Sequence, residues 1–191
     1  MGGFNNMGTL EIVAQALSIV AMFFNIISYQ QRSHRMTVTC QLFGCALFGA
    51  SYFLLGATIG GIINCVGIFR SIVFIYKEKL GSDRLHWLIL FVGFYIGAYI
   101  LVFTAFKKEF NTWNAITELL PVIAMTALTV GFRQKDAKHI RLCGLIASPC
   151  WLVYNIVSFS IGAIICEVLS LISIIIGIFR MDKKSIQGEK K

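Results

Sequence analysis

Charge is scarce in this chain. Asp and Glu together number nine, and charged residues of both signs fill only 14% of the 191 positions, against 57% that are hydrophobic. With a mean hydropathy of +0.77, that ratio excludes a soluble domain with a solvated surface. CxxC pairs are missing and the histidines are not clustered. The cysteines, Cys40, Cys45, Cys65, Cys143, Cys150 and Cys166, fall inside or at the ends of apolar segments. They read as small packing residues, so neither a disulfide framework nor a metal site is expected. The sequence also offers no nucleophile with a base, no Gly-rich phosphate loop and no metal-ligand cluster. An enzyme is therefore not expected, and no cofactor is implied. Residues 1–10 contain no Lys or Arg and no small-residue cleavage site, and Asn6 breaks the myristoylation pattern at Gly2. The first apolar segment is expected to be retained rather than removed as a signal peptide.

What the chain does have is seven apolar runs, at 11–29, 37–55, 58–76, 86–106, 115–132, 140–157 and 161–179. Each approaches the ~20 residues that a helix needs to cross ~30 Å of hydrocarbon. The connections are too short for a soluble domain, so function must sit among the helices or at their ends. Fifteen of the seventeen Lys and Arg residues lie at one set of span ends, and only Lys107 and Lys108 lie at the other. The positive-inside rule then predicts a membrane protein with its N-terminus outside and its C-terminus in the cytoplasm. The basic excess reads as an orientation signal that also meets anionic lipid headgroups on the cytoplasmic side, and nucleic acid is not expected as a partner.

The chain also repeats itself. A displacement of about 102 to 103 residues lays Ala21-Met22 on Ala124-Met125, Tyr29 on Phe132, Tyr52 on Tyr154 and Gly60 on Gly162. Each half runs long span, basic loop (30–36 or 133–139), span, tight turn and span. Three spans end on the side opposite their start, so a second copy in the same orientation needs one further crossing, which 86–106 supplies. The expected class is an all-α polytopic membrane protein of seven transmembrane helices in a 3+1+3 parallel repeat. Its expected parts are a first bundle at 1–80, a linker helix at 81–110, a second bundle at 111–182 and a basic tail at 183–191.

Within the spans, Glu167 is the sharpest candidate, because a carboxylate costs roughly 2.5–3.5 kcal/mol there and must face a polar cavity or a partner, or be protonated. Proton coupling or substrate binding stands against a protonated Glu bonded to a neighbouring helix. Arg70 lies six residues before Tyr76, within snorkelling range of the cytoplasmic end, and that reading is preferred. Asn25 and Gln41 read as cross-helix bonding groups, while Asn64 stays open between lining a pathway and bonding across helices. Gln15 and Glu118 hold equivalent places near the outer surface, where lining a mouth and simple interfacial hydration both fit. Gly93-Phe-Tyr-Ile-Gly97 is a small-xxx-small motif read mainly as internal packing, with a homodimer left open. Pro149 is a candidate hinge, and His34, His86 and His139 read as solvated.

Two local patterns carry a family resemblance. Trp151-Leu-Val-Tyr154 and Asn64 match the substrate-facing Trp-x-x-Tyr and Asn of the SWEET and PQ-loop superfamily, whose three-plus-one-plus-three plan this chain resembles. At the corresponding places the other half reads Gly49-Ala-Ser-Tyr52 and Cys166-Glu167, and no Pro-Gln dipeptide is present. Length, basic loops and sparse extramembrane sequence resemble the bacterial inner-membrane YgjV (Imp) family over essentially the whole chain. The resemblance implies a SWEET-like transporter or facilitator of a small polar solute, with Asn64, Trp151, Tyr154 and Glu167 as substrate-binding residues. The alternative that it implies is a non-transporting receptor or assembly partner working through the basic loops 30–36 and 133–141. A third reading is a membrane-shaping protein with no ligand, which a dry interface between the bundles would favour.

Overall fold

A computed structural model describes residues 8–182. The basic tail expected at 183–191 and the N-terminal residues 1–7 lie outside the described residues. The helices are α1 (Thr9–Tyr29), α2 (His34–Leu54), α3 (Thr58–Ile75), a single turn α4 (Lys77–Leu80), α5 (Leu85–Thr104), α6 (Thr112–Arg133), α7 (Ala137–Val157) and α8 (Ile161–Gly177). A π-helical turn, Ile178–Asp182, continues α8. Seven of these are long and apolar enough to cross a membrane, and no strand occurs among the described residues.

Several helices begin two or three residues before the apolar runs do. The extra turns are polar, such as His34-Arg35 in α2 and Thr112–Asn114 in α6, and hydropathy does not register them. Helix α6 is held open at its start by Asn111, whose side chain accepts the backbone N–H of Asn114 at 2.8 Å.

Burial is arranged for lipid rather than water. Large apolar side chains such as Leu10, Ile19, Phe23, Ile89, Ile100 and Ile176 face outward, while Ser18, Gln41, Ser51, Asn64, Arg70, Asn155 and Glu167 are buried. A hydrocarbon solvent gives no driving force for burying leucine, so the interior is left to small and polar groups that pack closely and bond between helices. The α1–α2 seam shows this, with Ser18 and Ser51 both donating to the Ala14 carbonyl at 2.9 and 2.8 Å.

Each helix packs on its chain neighbour: α1 on α2, α2 on α3, α6 on α7 and α7 on α8. Two further seams close the set, α1 against α8 and α3 against α6, and α5 lies along α3 and α6. The buried faces of the halves coincide at a displacement of 103 residues: Ala14 with Thr117, Met22 with Met125, Tyr29 with Phe132, Gln41 with Gly144, Asn64 with Glu167. The turns agree bond for bond. Gly56 N–H donates to Phe53 O and Ala57 N–H to Tyr52 O in one, and Phe159 N–H to Ile156 O and Ser160 N–H to Asn155 O in the other. Gly56 and Phe159 both take left-handed conformations, with φ of 71° and 51°.

This register corrects part of the sequence alignment. Tyr52 answers Asn155 rather than Tyr154, and the partner of Trp151 is Phe48 rather than Gly49. One residue of slip is a rotation of about 100° around a helix with 3.6 residues per turn, so the shift changes which groups face inward. Chance identities among a few apolar residue types cannot resolve it.

The Gly93–Gly97 motif does not pack internally: a Cβ added at either glycine meets no atom within 4 Å. Nor is His34 simply solvated. It is half-buried at the basic end, with Nε2 at 2.8 Å from the Phe132 carbonyl. At the same end the Lys77 amine gathers the Phe132, Arg133 and Gln134 carbonyls at the end of α6, which satisfies acceptors that the helix cannot. Burial pulls that amine below its usual range, and Asp83 acts in the opposite direction.

Candidate functional site

A cavity of about 40 Å³ lies where six helices meet, room for about three waters at ~10–15 Å³ each. Helix α1 contributes Asn25 and Tyr29, α2 contributes Gln41 and Cys45, α3 contributes Asn64 and Arg70, α7 contributes Ser148 and Trp151, and α8 contributes Glu167. The lining therefore mixes these polar groups with apolar ones, among them Phe48, Met125 and Leu128, in the middle of an apolar protein. Asn64 and Glu167 stand 103 residues apart, the displacement at which the buried positions of α1–α3 and α6–α8 coincide, and there an amide answers an acid.

Of the residues expected from sequence, Asn64, Trp151 and Glu167 come together on this cavity, and Tyr154 does not line it. Asn64 donates to the Gly60 carbonyl at 2.8 Å, which fixes its amide and leaves the carboxamide oxygen free of that bond. Glu167 is buried, with Ser148 close to both its carboxyl and the Tyr29 hydroxyl. Trp151 forms the wall toward the end opposite the basic loops. Its ring stacks on Tyr52 at 5.9 Å and 11° and meets Tyr154 edge-on at 5.7 Å and 79°. The Tyr52 hydroxyl donates to Asn155 Oδ1 at 2.5 Å. Three aromatic rings and one buried hydrogen bond thus close the cavity on that side.

Tyr154 has a different task. Its hydroxyl accepts the Gly60 N–H at 3.0 Å, one of the N-terminal donors of α3 that has no partner within its own helix. The equivalent end of α8 is satisfied by Gln15, whose Oε1 accepts the Gly162 N–H at 3.1 Å while its amide donates to Phe159 O at 3.4 Å. Gln15 is a clamp on the α7–α8 turn, and buried Glu118 pairs with Lys108. Replacing Tyr154 by phenylalanine leaves the Gly60 N–H unsatisfied in a buried place, and about 1–3 kcal/mol of stability should be lost. Thermal unfolding of the purified variant checks this, and an unchanged melting temperature would show that Gly60 finds another acceptor.

Three residues read from sequence as structural or peripheral also line the cavity: Asn25, Gln41 and Arg70. Asn25 donates to Cys166 Sγ at 3.6 Å and Gln41 to Ser28 Oγ at 3.3 Å, so cross-helix bonding and cavity lining coincide. The departure at Arg70 is larger. It does not snorkel: its exposure is 0%. Its Nη1 reaches across the α3–α6 seam to Met125 O at 3.3 Å and Thr129 Oγ1 at 3.5 Å, and its guanidinium carbon stands 4.4 Å over the Phe132 ring. The seam holds the side chain in place of the membrane surface. The inward face of α3, spaced as Gly60, Asn64, Gly67 and then Arg70, is the sequence signal that could have revealed it.

Beyond the cavity, at the basic end, a vestibule of about 970 Å³ is lined by Arg32, His34, Arg35, Lys77, Lys79 and Lys135, with Glu78 and Asp83 as its acids. The pattern of the bacterial inner membrane protein family Imp-YgjV matches residues 12–185. No curated protein and no solved structure matches the chain. The chain belongs to the Imp-YgjV family of bacterial inner membrane proteins.

Proposed function

We propose that this multi-pass inner membrane protein carries a small polar solute across the bilayer by alternating access, its two three-helix halves rocking about the central cavity. The observation that carries this reading is the cavity itself, a space at the meeting of six helices onto which Asn25, Gln41, Asn64, Arg70 and the buried carboxyl group of Glu167 converge. A membrane protein that needed only to hold its helices together would fill that volume with small side chains. Its small volume corresponds to an occluded state, and the halves must part for a solute to enter or leave. Support for two related halves comes from the common buried register at 103 residues. In this reading Tyr52 and Asn155, which are equivalent in that register, touch near a pseudo-two-fold axis. The basic end faces the cytoplasm, following the distribution of Lys and Arg.

Glu167 is the coupling group in this proposal, taking up and releasing a proton as the cavity turns from one side to the other. Purified protein in proteoliposomes, given an inward proton gradient and a panel of small polar solutes, should show uptake that Glu167→Gln abolishes. Uptake that survives the substitution removes Glu167 from coupling, and a wild-type protein that moves none of the panel counts against transport. If cavity substitutions spare function in cells while neutralising Arg32, Arg35 and Lys135 destroys it with insertion intact, the protein is instead a receptor working through its basic loops.

A further inference from the structure

Arg70 has no part in the transport scheme so far, yet its placement is costly. An arginine in a spanning segment is expensive unless its charge is met by water, backbone or an acid, and this one is fully buried. Only one side of its guanidinium is engaged. Nη1 contacts α6 at Met125 and Thr129, and the Tyr95 hydroxyl, itself 3.0 Å from Thr129 Oγ1, stands close by. Nε and Nη2 are buried without a hydrogen-bond partner.

Those two atoms are not a random pair. Nε–H and Nη2–H form one edge of the planar fork, two parallel donors spaced to meet the two oxygens of a carboxylate. The remainder of the fork is engaged by the α6 carbonyl and by the Phe132 ring, and Arg70 is one of the residues around the cavity. No acid among the described residues takes it. The ion pair among the described residues is Lys108–Glu118, far along the chain at the opposite end. Glu167 shares the cavity but occupies the level of Asn64, which is six residues before Arg70 on α3, or ~9 Å along a helix at 1.5 Å per residue. Arg70 itself is matched by Ser173 in the second half, so the anion-receiving edge exists once.

We propose that the central cavity takes a small carboxylate anion, its two oxygens accepting from Arg70 Nε and Nη2. For the movement of that anion this rests on the transport reading above; for its binding it does not. The volume of about 40 Å³ admits the carboxylate and a very short tail in the occluded state. The vestibule, where Arg32, Arg35, Lys77, Lys79 and Lys135 outnumber Glu78 and Asp83, raises the local concentration of anions at the basic end. A cation in the first half and an acid in the second give the cavity opposite chemical ends, one for the anion and one for the proton that crosses with it.

The test uses the full-length protein in detergent, with sodium acetate as probe against sodium chloride at equal ionic strength, acetamide as the uncharged isostere and phosphate as the tetrahedral alternative. Acetate should raise the melting temperature saturably, and chloride and acetamide should not. Arg70→Lys, which keeps the charge and loses the paired edge, should weaken acetate at least tenfold. Should that variant not fold, Gly44→Ala serves instead. A Cβ at Gly44 meets only the Ala21 carbonyl, at 3.8 Å, so the added methyl fills cavity space with Arg70 intact, and acetate stabilisation should fall while the melting temperature without acetate holds. Acetate no better than chloride, acetamide equal to acetate, phosphate equal to acetate, or Arg70→Lys binding as the parent does would each overturn the assignment. Arg70-dependent acetate binding without acetate counterflow in proteoliposomes would keep this site and sink transport, whereas uptake of an uncharged solute without acetate binding would do the reverse.

Discussion

Replacing Gly162 by alanine should lower the melting temperature of the purified protein by roughly 6–12 °C. A Cβ at this position would lie 2.6 Å from Ser18 Cβ and 3.3 Å from the Gln15 carbonyl. Neither neighbour can yield, because one is the stiff base of a side chain and the other is backbone of α1. The substitution must therefore push α8 away from α1, straining the Gln15 clamp on the Gly162 N–H and the Asn25–Cys166 contact further along the seam. Overpacking of this kind costs about 3 kcal/mol at the upper end of its usual range, and each kcal/mol moves a protein of this size by ~2–4 °C. Ser18→Gly removes the atom in the way, so the double variant should recover at least half of the loss. Ser51 still reaches the Ala14 carbonyl in that variant. No recovery would mean that the α1–α8 seam is not closed as described.

The second large effect is expected at Trp151. Truncation to alanine removes a large ring that stacks on Tyr52 and abuts Tyr154, at a cost of about 3–5 kcal/mol. It also removes the wall between the cavity and the end opposite the basic loops. Cys45 lines that cavity and is 9% exposed, which makes it a reporter of access. In a protein whose other cysteines are serine, a membrane-impermeant maleimide applied from that end should modify Cys45 at least tenfold faster after Trp151→Ala. Equal rates in the parent and the variant would show that the aromatic cluster is not the closure. Loss of stability without any gain in labelling would leave Trp151 a packing residue only.

The two variants separate the fold from its use, since Gly162 does not line the cavity and Trp151 does. They also mark how much was legible in the chain. The clash at Gly162 has no signature in the sequence, where glycine near the start of an apolar segment is unremarkable. Trp151 was visible as an aromatic within a span, and its family resemblance pointed to the cavity that it does border. Its partner Tyr154 carried the same resemblance and instead satisfies the end of α3, because it lies three residues, or ~4.5 Å, nearer the end of α7 on the same side of the helix.

The sequence alone determined the seven spans to within a few residues, the gathering of Lys and Arg at one set of span ends and the presence of Glu167 in an apolar surrounding. These follow from properties that each segment carries by itself, namely its length of apolar residues and the charges at its ends, which a bilayer reads without reference to neighbouring helices. Only the tertiary structure decided the register at which the buried positions of α1–α3 and α6–α8 coincide, the open space beside Gly93 and Gly97, and the gathering of Asn25, Gln41, Arg70 and Glu167 on one cavity. Each of those depends on which face of a helix meets which neighbour, and a rotation of one residue alters that face while leaving the segment's hydropathy unchanged. Arg70 shows the difference most plainly. By position it is within reach of the membrane surface, and the seam between α3 and α6 holds it inside instead.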